Sequence, residues 1–319
     1  MQDGLLFGIY PGGESGEAVG PPDDPLQVQR ALDALQPAGR PFVVRGYLPF
    51  KDVPDDPTAA RETPLAVAQY ARGTRRLDLV LQFQSASGDV AGYLAFVRAQ
   101  VRRLGGLAAC VQITEEPNNP MPGLDGSTPN VLEAQVEGVL VAKAAAQAAG
   151  YTRLQVGFNA VPSLGDGAAF WSALGGLGGR RFVDALDYVG FDFFPDVFRP
   201  LDDERLGAAI DGVLGVLRER WLLAAGIPAS VPLHIAEMGW PTGAGRSAAR
   251  QAVVLEAVLR TVHGLRDRYG ITQYELFSLR DADSACPDFW YQFGLLDSSY
   301  APKPAFATVR RLLAELSDA

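Results

Sequence analysis

Ala108-Ala-Cys-Val-Gln-Ile-Thr-Glu-Glu-Pro-Asn-Asn119 runs from an apolar stretch straight into a cluster of acids and amides. A short, nearly continuous apolar run reads as a strand buried on both faces, the habit of a parallel sheet. The acids follow at once, where such a strand leaves the sheet. Leu233-His-Ile-Ala-Glu-Met-Gly-Trp-Pro-Thr242 repeats the pattern, with one glutamate at the strand end.

Working outward, similar runs recur along the whole chain: Leu5–Tyr10, Phe42–Tyr47, Asp78–Gln84, Arg153–Phe158, Ala185–Phe193 and Tyr274–Leu279. Helical apolar spacing lies between them, near 25–36, 58–72, 89–104, 128–149, 167–175, 203–225, 246–269 and 303–317. Eight strand–helix units in 319 residues predict a (β/α)8 TIM barrel. No composition shift marks a linker, so residues 1–319 read as one domain. An open doubly wound sheet would need a glycine fingerprint after a strand. Gly175-Gly-Leu-Gly-Gly179 has the wrong spacing for that, and no Gly-Lys-Ser/Thr phosphate loop occurs.

Composition excludes several functions. A net charge of −9 disfavours nucleic acid, which needs clustered Lys and Arg. With two histidines, an imidazole zinc site is disfavoured. Lys51, Lys143 and Lys303 are the lysines, and only Lys51 falls in a loop suited to Schiff-base chemistry. Cys110 and Cys286 do not form a disulfide framework. No signal peptide or membrane span is read, so a cytoplasmic location is expected, with no cofactor and an open oligomeric state. Carboxylates are left to do the chemistry.

In a barrel the site forms at the C-terminal ends of the strands. Polar residues recur there: Arg45, Gln84, Glu115, Glu116, Asn159, Asp192, Glu237, Arg280 and Asp281. Aromatic faces suited to sugar rings are offered by Trp240 and Trp290, with Tyr10, Tyr47 and Phe50 near earlier strand ends. Strict alternation puts Leu233, Ile235 and Glu237 on one face, which sends His234 toward the helices as a structural residue. The same rule groups Gln112, Thr114 and Glu116 with Cys110, an interior thiol.

These motifs resemble those of the clan A glycoside hydrolases. Thr114-Glu-Glu-Pro-Asn-Asn119 is similar to the clan's Asn-Glu-Pro motif, and Ile235-Ala-Glu-Met-Gly-Trp-Pro-Thr242 to its strand-seven Glu-x-Gly-Trp-Pro motif. Phe293-Gly-Leu-Leu-Asp-Ser-Ser-Tyr-Ala-Pro-Lys-Pro-Ala305 resembles the end of the strand-eight loop. The resemblance implies Glu116 as acid/base, Glu237 as nucleophile, Arg45 beside the nucleophile and a carbohydrate substrate. The implied activity is retaining β-glycoside hydrolysis.

Three positions depart from the pattern. Glu115 replaces the asparagine expected to meet the sugar 2-hydroxyl, and it either joins the site or turns outward to pair with an arginine. Phe194 stands where a tyrosine is expected to donate to the nucleophile. Strand eight lacks a tryptophan. A second reading follows from these losses: a barrel that binds carbohydrate or regulates without turnover.

Overall fold

The computed structural model describes residues 4–14, 16, 18–52, 61–163 and 167–317. Eight parallel strands close into a barrel: β1 (Leu6–Ile9), β2 (Phe42–Phe50), β3 (Arg75–Phe83), β4 (Ala108–Ile113), β5 (Gln155–Ala160), β6 (Tyr188–Asp192), β7 (Leu233–Met238) and β8 (Ile271–Leu276). Each strand pairs with its sequence neighbours, and β1 closes the ring on β8. The expected (β/α)8 architecture is therefore observed.

The outer layer comprises α1 (Pro25–Leu35), α2 (Val90–Leu104), α3 (Val131–Ala148), α4 (Ala168–Val183), α5 (Asp203–Val216), the single-turn α6 (Leu222–Ala224), α7 (Ala248–Tyr269) and α8 (Pro304–Leu316). Side-chain caps set several starts: Asp24 accepts from Leu26 N at 2.8 Å, Asp89 from Gly92 N at 2.9 Å and Ser247 from Arg250 N at 3.1 Å. Gly270, left-handed at φ 66°, ends α7 and delivers the chain directly into β8. That cap starts β8 three residues before the expected Tyr274. The helix expected over 58–72 is not formed: its described part holds only a 3-10 turn at Val67–Tyr70, and residues 53–60 lie outside the described residues.

Leu77, Leu79 and Leu81 of β3 are buried in the apolar layer beneath the helices. Asp78, between them, points into the barrel, where it meets Arg45 of β2 and Gln273 of β8. The interior is polar at this level. Arg45, Asp78, Cys110, Gln112, Tyr188, His234, Gln273 and Glu275 are all buried. Such groups are tolerated only when paired, and the ring of strands brings their partners together.

Alternation fails on β7. Its register slips between Leu233 and His234 and again between Ile235 and Met238. His234 faces the interior, stacked on Tyr188 at 3.9 Å and 10°, instead of facing the helices, in regular alternation with Ala236; the break in alternation falls after it, at Glu237. It remains a structural residue. Burial pushes its pKa down to about 3, so it stays neutral. The same irregularity lets Glu237 reach the rim although its neighbour Ala236 also points inward, near Gly190.

Candidate active site

The rim is organised by Arg45. Its guanidinium is fully buried and donates to Tyr47 Oη at 2.9 Å, Gln112 Oε1 at 2.8 Å and Asp78 Oδ2 at 3.3 Å. Glu115 and Glu237 each place an oxygen 3.4 Å from it, and Glu275 one at 3.9 Å. Burial alone works against the charge, but Tyr47, Glu115, Asp78 and Glu237 outweigh it and hold Arg45 protonated.

Glu237 accepts a short hydrogen bond from the Tyr47 hydroxyl, in addition to its Arg45 contact. Burial, reinforced by the charge of Glu237, pushes the Tyr47 phenol well up. Tyr47 is thus kept neutral and available as a donor. This supplies from β2 the hydroxyl that Phe194 cannot provide. Phe194 itself packs edge-on to Phe277 at 6.2 Å and Phe293 at 5.7 Å.

β4 ends at Ile113, and the next residues leave extended geometry. Thr114 at φ 63° and Glu116 at φ 46° are both left-handed, which costs a non-glycine residue about 1 kcal/mol or more. Two backbone bonds hold the turn. Glu115 N donates to Asp125 Oδ2 at 2.8 Å, and Glu116 N to Asn159 Oδ1 at 2.8 Å. Because alternation is suspended here, both consecutive glutamates reach the site. Glu115 points inward and is buried, so of its two expected placements the inward one is observed. The arginine it meets is the interior Arg45. It also accepts from Gln112 Nε2 at 2.6 Å and Asn159 Nδ2 at 3.3 Å.

Glu116 is partly buried and accepts from Asn119 Nδ2 at 2.7 Å. Burial first and the charge of Glu237 second push its pKa up to about 7, against the opposing effects of Asn119 and Arg45. A group poised there carries a proton at neutral pH and can release it. Burial, again reinforced by Glu237, also pushes Glu115 and Asp192 well above the usual carboxylate range. Asp192 lies opposite Glu237 in the β6–β7 register. Its Oδ2 accepts from Asn159, whose amide thereby ties Glu115, Glu116 and Asp192 together.

One carboxylate oxygen each from Glu115, Glu116 and Asp192 lies within 4.8 Å of the others. Such an all-oxygen set suits a hard cation, although Mg2+ or Ca2+ takes six or more oxygen ligands.

Other expected residues are placed differently. Arg280 is buried and uses its donors on Asp23 Oδ1 at 2.9 Å, Pro21 O at 2.7 Å and Ser298 O at 3.2 Å. Asp281 is buried, accepting from Lys303 at 2.7 Å, Gly294 N at 2.8 Å and Ser284 at 2.8 Å. Both tie loops together instead of joining the carboxylates. Trp240 is buried, its indole N–H donating to Asp196 Oδ2 at 3.1 Å. Gln84 stands half-buried at the end of β3 and, among the described residues, makes no hydrogen bond to the cluster. Trp290 is 40% exposed and lies 5.5 Å from Phe198, which is 60% exposed. The pair forms an open aromatic surface where the loops after β6 and β8 meet. Tyr47, Asn119 and Asp125 were not singled out as a donor and two anchors. Their partners lie on other elements, and no local motif announces them.

A parallel barrel with carboxylates gathered at the C-terminal strand ends defines the class. Among solved structures, the chain is similar to a β-glucuronidase from Ruminococcus gnavus in complex with D-glucuronic acid, at 12% identity and a TM-score of 0.56, over 97% of this chain and 48% of that one. It is similar to a family 39 glycoside hydrolase from Bacteroides cellulosilyticus, at 17% identity and a TM-score of 0.63, over 99% and 65%. A β-galacturonidase from Eisenbergiella tayi bound to galacturonate matches at 12% identity and a TM-score of 0.57, over 92% and 48%. The chain thus spans about half to two thirds of the length of these proteins. The likeness is one of fold, the (β/α)8 barrel. No family model and no curated protein sequence matches the chain.

Proposed function

We propose that this chain is a retaining β-glycosidase. The observation that carries the reading is the division of labour between Glu116 and Glu237. One is raised to about 7 and partly buried, while the other is engaged by the Tyr47 hydroxyl and the Arg45 guanidinium. Two carboxyl groups whose surroundings differ in this way are what glycoside cleavage requires.

In the first step a Glu237 oxygen bonds to the anomeric carbon as the carbon–oxygen bond to the leaving group breaks. The Glu116 proton passes to the leaving oxygen. In the second, Glu116 takes a proton from water, whose oxygen bonds to the anomeric carbon and releases Glu237 as a carboxylate. Arg45 and Tyr47 position Glu237, and Asn159 and Asp125 position the Glu115–Glu116 turn. The donor supplied by Tyr47 removes one motive for a barrel without turnover.

The test is incubation with a panel of aryl β-glycosides and with 2-fluoro glycosides that trap the intermediate. A covalent sugar on Glu237 by peptide mass spectrometry, with first-formed product of retained configuration by NMR, is the expected result. An inverted product or labelling elsewhere would overturn the assignment.

A further inference from the structure

Phe193 N donates to Glu237 O at 3.1 Å, so the loop after β6 leaves the barrel beside Glu237. Phe194 opens that loop, and an aromatic row passes through its ring. It lies 5.7 Å from Phe293 and 6.2 Å from both Phe277 and Phe198. Inward, Phe277 stacks on Tyr10 at 5.3 Å, and Tyr10 lies 5.1 Å from Tyr47, the donor to Glu237. Outward, Phe293 lies 5.9 Å from Trp290, which meets Phe198 at 5.5 Å and Phe289 at 5.1 Å. The row therefore runs unbroken from the site to the open surface formed by Phe198 and Trp290.

A contiguous apolar surface that adjoins a site marks a place of contact. The polar side chains flanking this one bond to backbone. Asp288 Oδ1 accepts from Trp290 N at 3.0 Å, Gln292 Nε2 donates to Cys286 O at 2.7 Å and Arg246 Nη2 to Val197 O at 2.6 Å. A second sugar laid here would bring hydroxyls around its whole edge and trade their water for few partners. The apolar part of a β-glycoside is its aglycone. Resting on the glycosidase reading, we propose that this shelf receives the aglycone and selects an apolar one, an alkyl or aryl group in place of a further sugar. Trp290 and Phe198 are then the residues that set specificity for the leaving group. Because the gain follows the apolar area covered, selectivity grows with aglycone size.

The test uses methyl and octyl β-glycosides of the sugar that the aryl panel selects, the octyl compound being kept below its micelle concentration. Methanol and octanol are leaving groups of similar acidity, so the ratio of kcat/KM reports the shelf and not the chemistry. The octyl glycoside should be preferred by at least about tenfold, which burial of two methylenes would supply, and should also surpass the disaccharide with glucose in the aglycone's place. Phe198→Ala combined with Trp290→Ala, or Trp290→Ala alone if the pair does not fold, should bring the ratio close to one. A native ratio near one, a ratio that the variant leaves unchanged, or preference for the disaccharide overturns the proposal and leaves the glycosidase reading standing. If nothing in the panel turns over, the glycosidase reading falls, and calorimetric titration with octyl β-D-thioglucoside decides the shelf by itself. Saturable binding that Trp290→Ala weakens at least about tenfold supports apolar docking. No binding, or binding that the variant leaves unchanged, overturns it.

Discussion

Replacing Asn119 with alanine should move the alkaline limb of activity upward. Asn119 Nδ2 donates to Glu116 Oε2 at 2.7 Å and favours the charged form of that carboxyl. A hydrogen bond to a charged group is worth roughly 1.5–3 kcal/mol net, and 1.36 kcal/mol corresponds to about one pH unit. Glu116 is partly buried, so water replaces some of the lost bond and the smaller value applies. The limb set by Glu116, near pH 7 in the native protein, should move up by about one pH unit. On the alkaline side the variant should then be the faster enzyme. The assay is kcat/KM from pH 5 to 9 on the best aryl β-glycoside, with 13C NMR titration of the glutamate carboxyls as a readout independent of turnover. If Asn119 only shapes the loop, the whole curve drops without shifting. A limb that stays in place or moves down refutes the reasoning.

Three further outcomes follow. Tyr47→Phe removes the hydroxyl that donates to Glu237 and should lower kcat/KM by roughly 10- to 100-fold at nearly unchanged melting temperature; a loss below about twofold contradicts the role given to Tyr47. Arg45→Met leaves Asp78, Glu115, Glu237 and Glu275 without their shared cation and should cost roughly 3–5 kcal/mol in chemical denaturation, a cost that an unchanged midpoint would disprove. Asp125 is buried and raised to about 7 by burial, against its bonds from Phe83 N and Glu115 N. Its folded pKa exceeds the unfolded one, so its contribution to stability is complete below about pH 4 and is lost as pH rises through 7, by roughly 4 kcal/mol. Asp125→Asn keeps an acceptor and cannot ionise. It should melt a few degrees higher than the native protein at pH 8 and show no such advantage at pH 4, as scanning calorimetry would register.

Much of the site was legible along the chain. The acids of 114–119 and 233–242 follow apolar runs, and in a closed parallel barrel every strand delivers its last residues to the same rim. Arg45 was legible for the same reason. On β7 and after β4 the misreadings share a cause: inference from alternation assumes unbroken extended geometry. An irregularity in β7 after Ile235 brings Glu237 to the side that His234 already faces, and left-handed Thr114 and Glu116 bring Glu115 to the site beside Glu116. Arg280, Asp281 and Trp240 read as site residues by type and position, yet partners distant in the chain occupy their polar atoms.

The sequence by itself determined a parallel barrel with carboxylates at its strand ends, because burial on both faces imposes apolar runs and the acids follow those runs directly. Only the tertiary structure decided which hydroxyl serves Glu237, that Arg45 is shared among several acids, and that Glu115 and Asp192 meet. Those pairings join residues on different strands. Their distances are set by barrel closure and strand register, which no local stretch of sequence encodes.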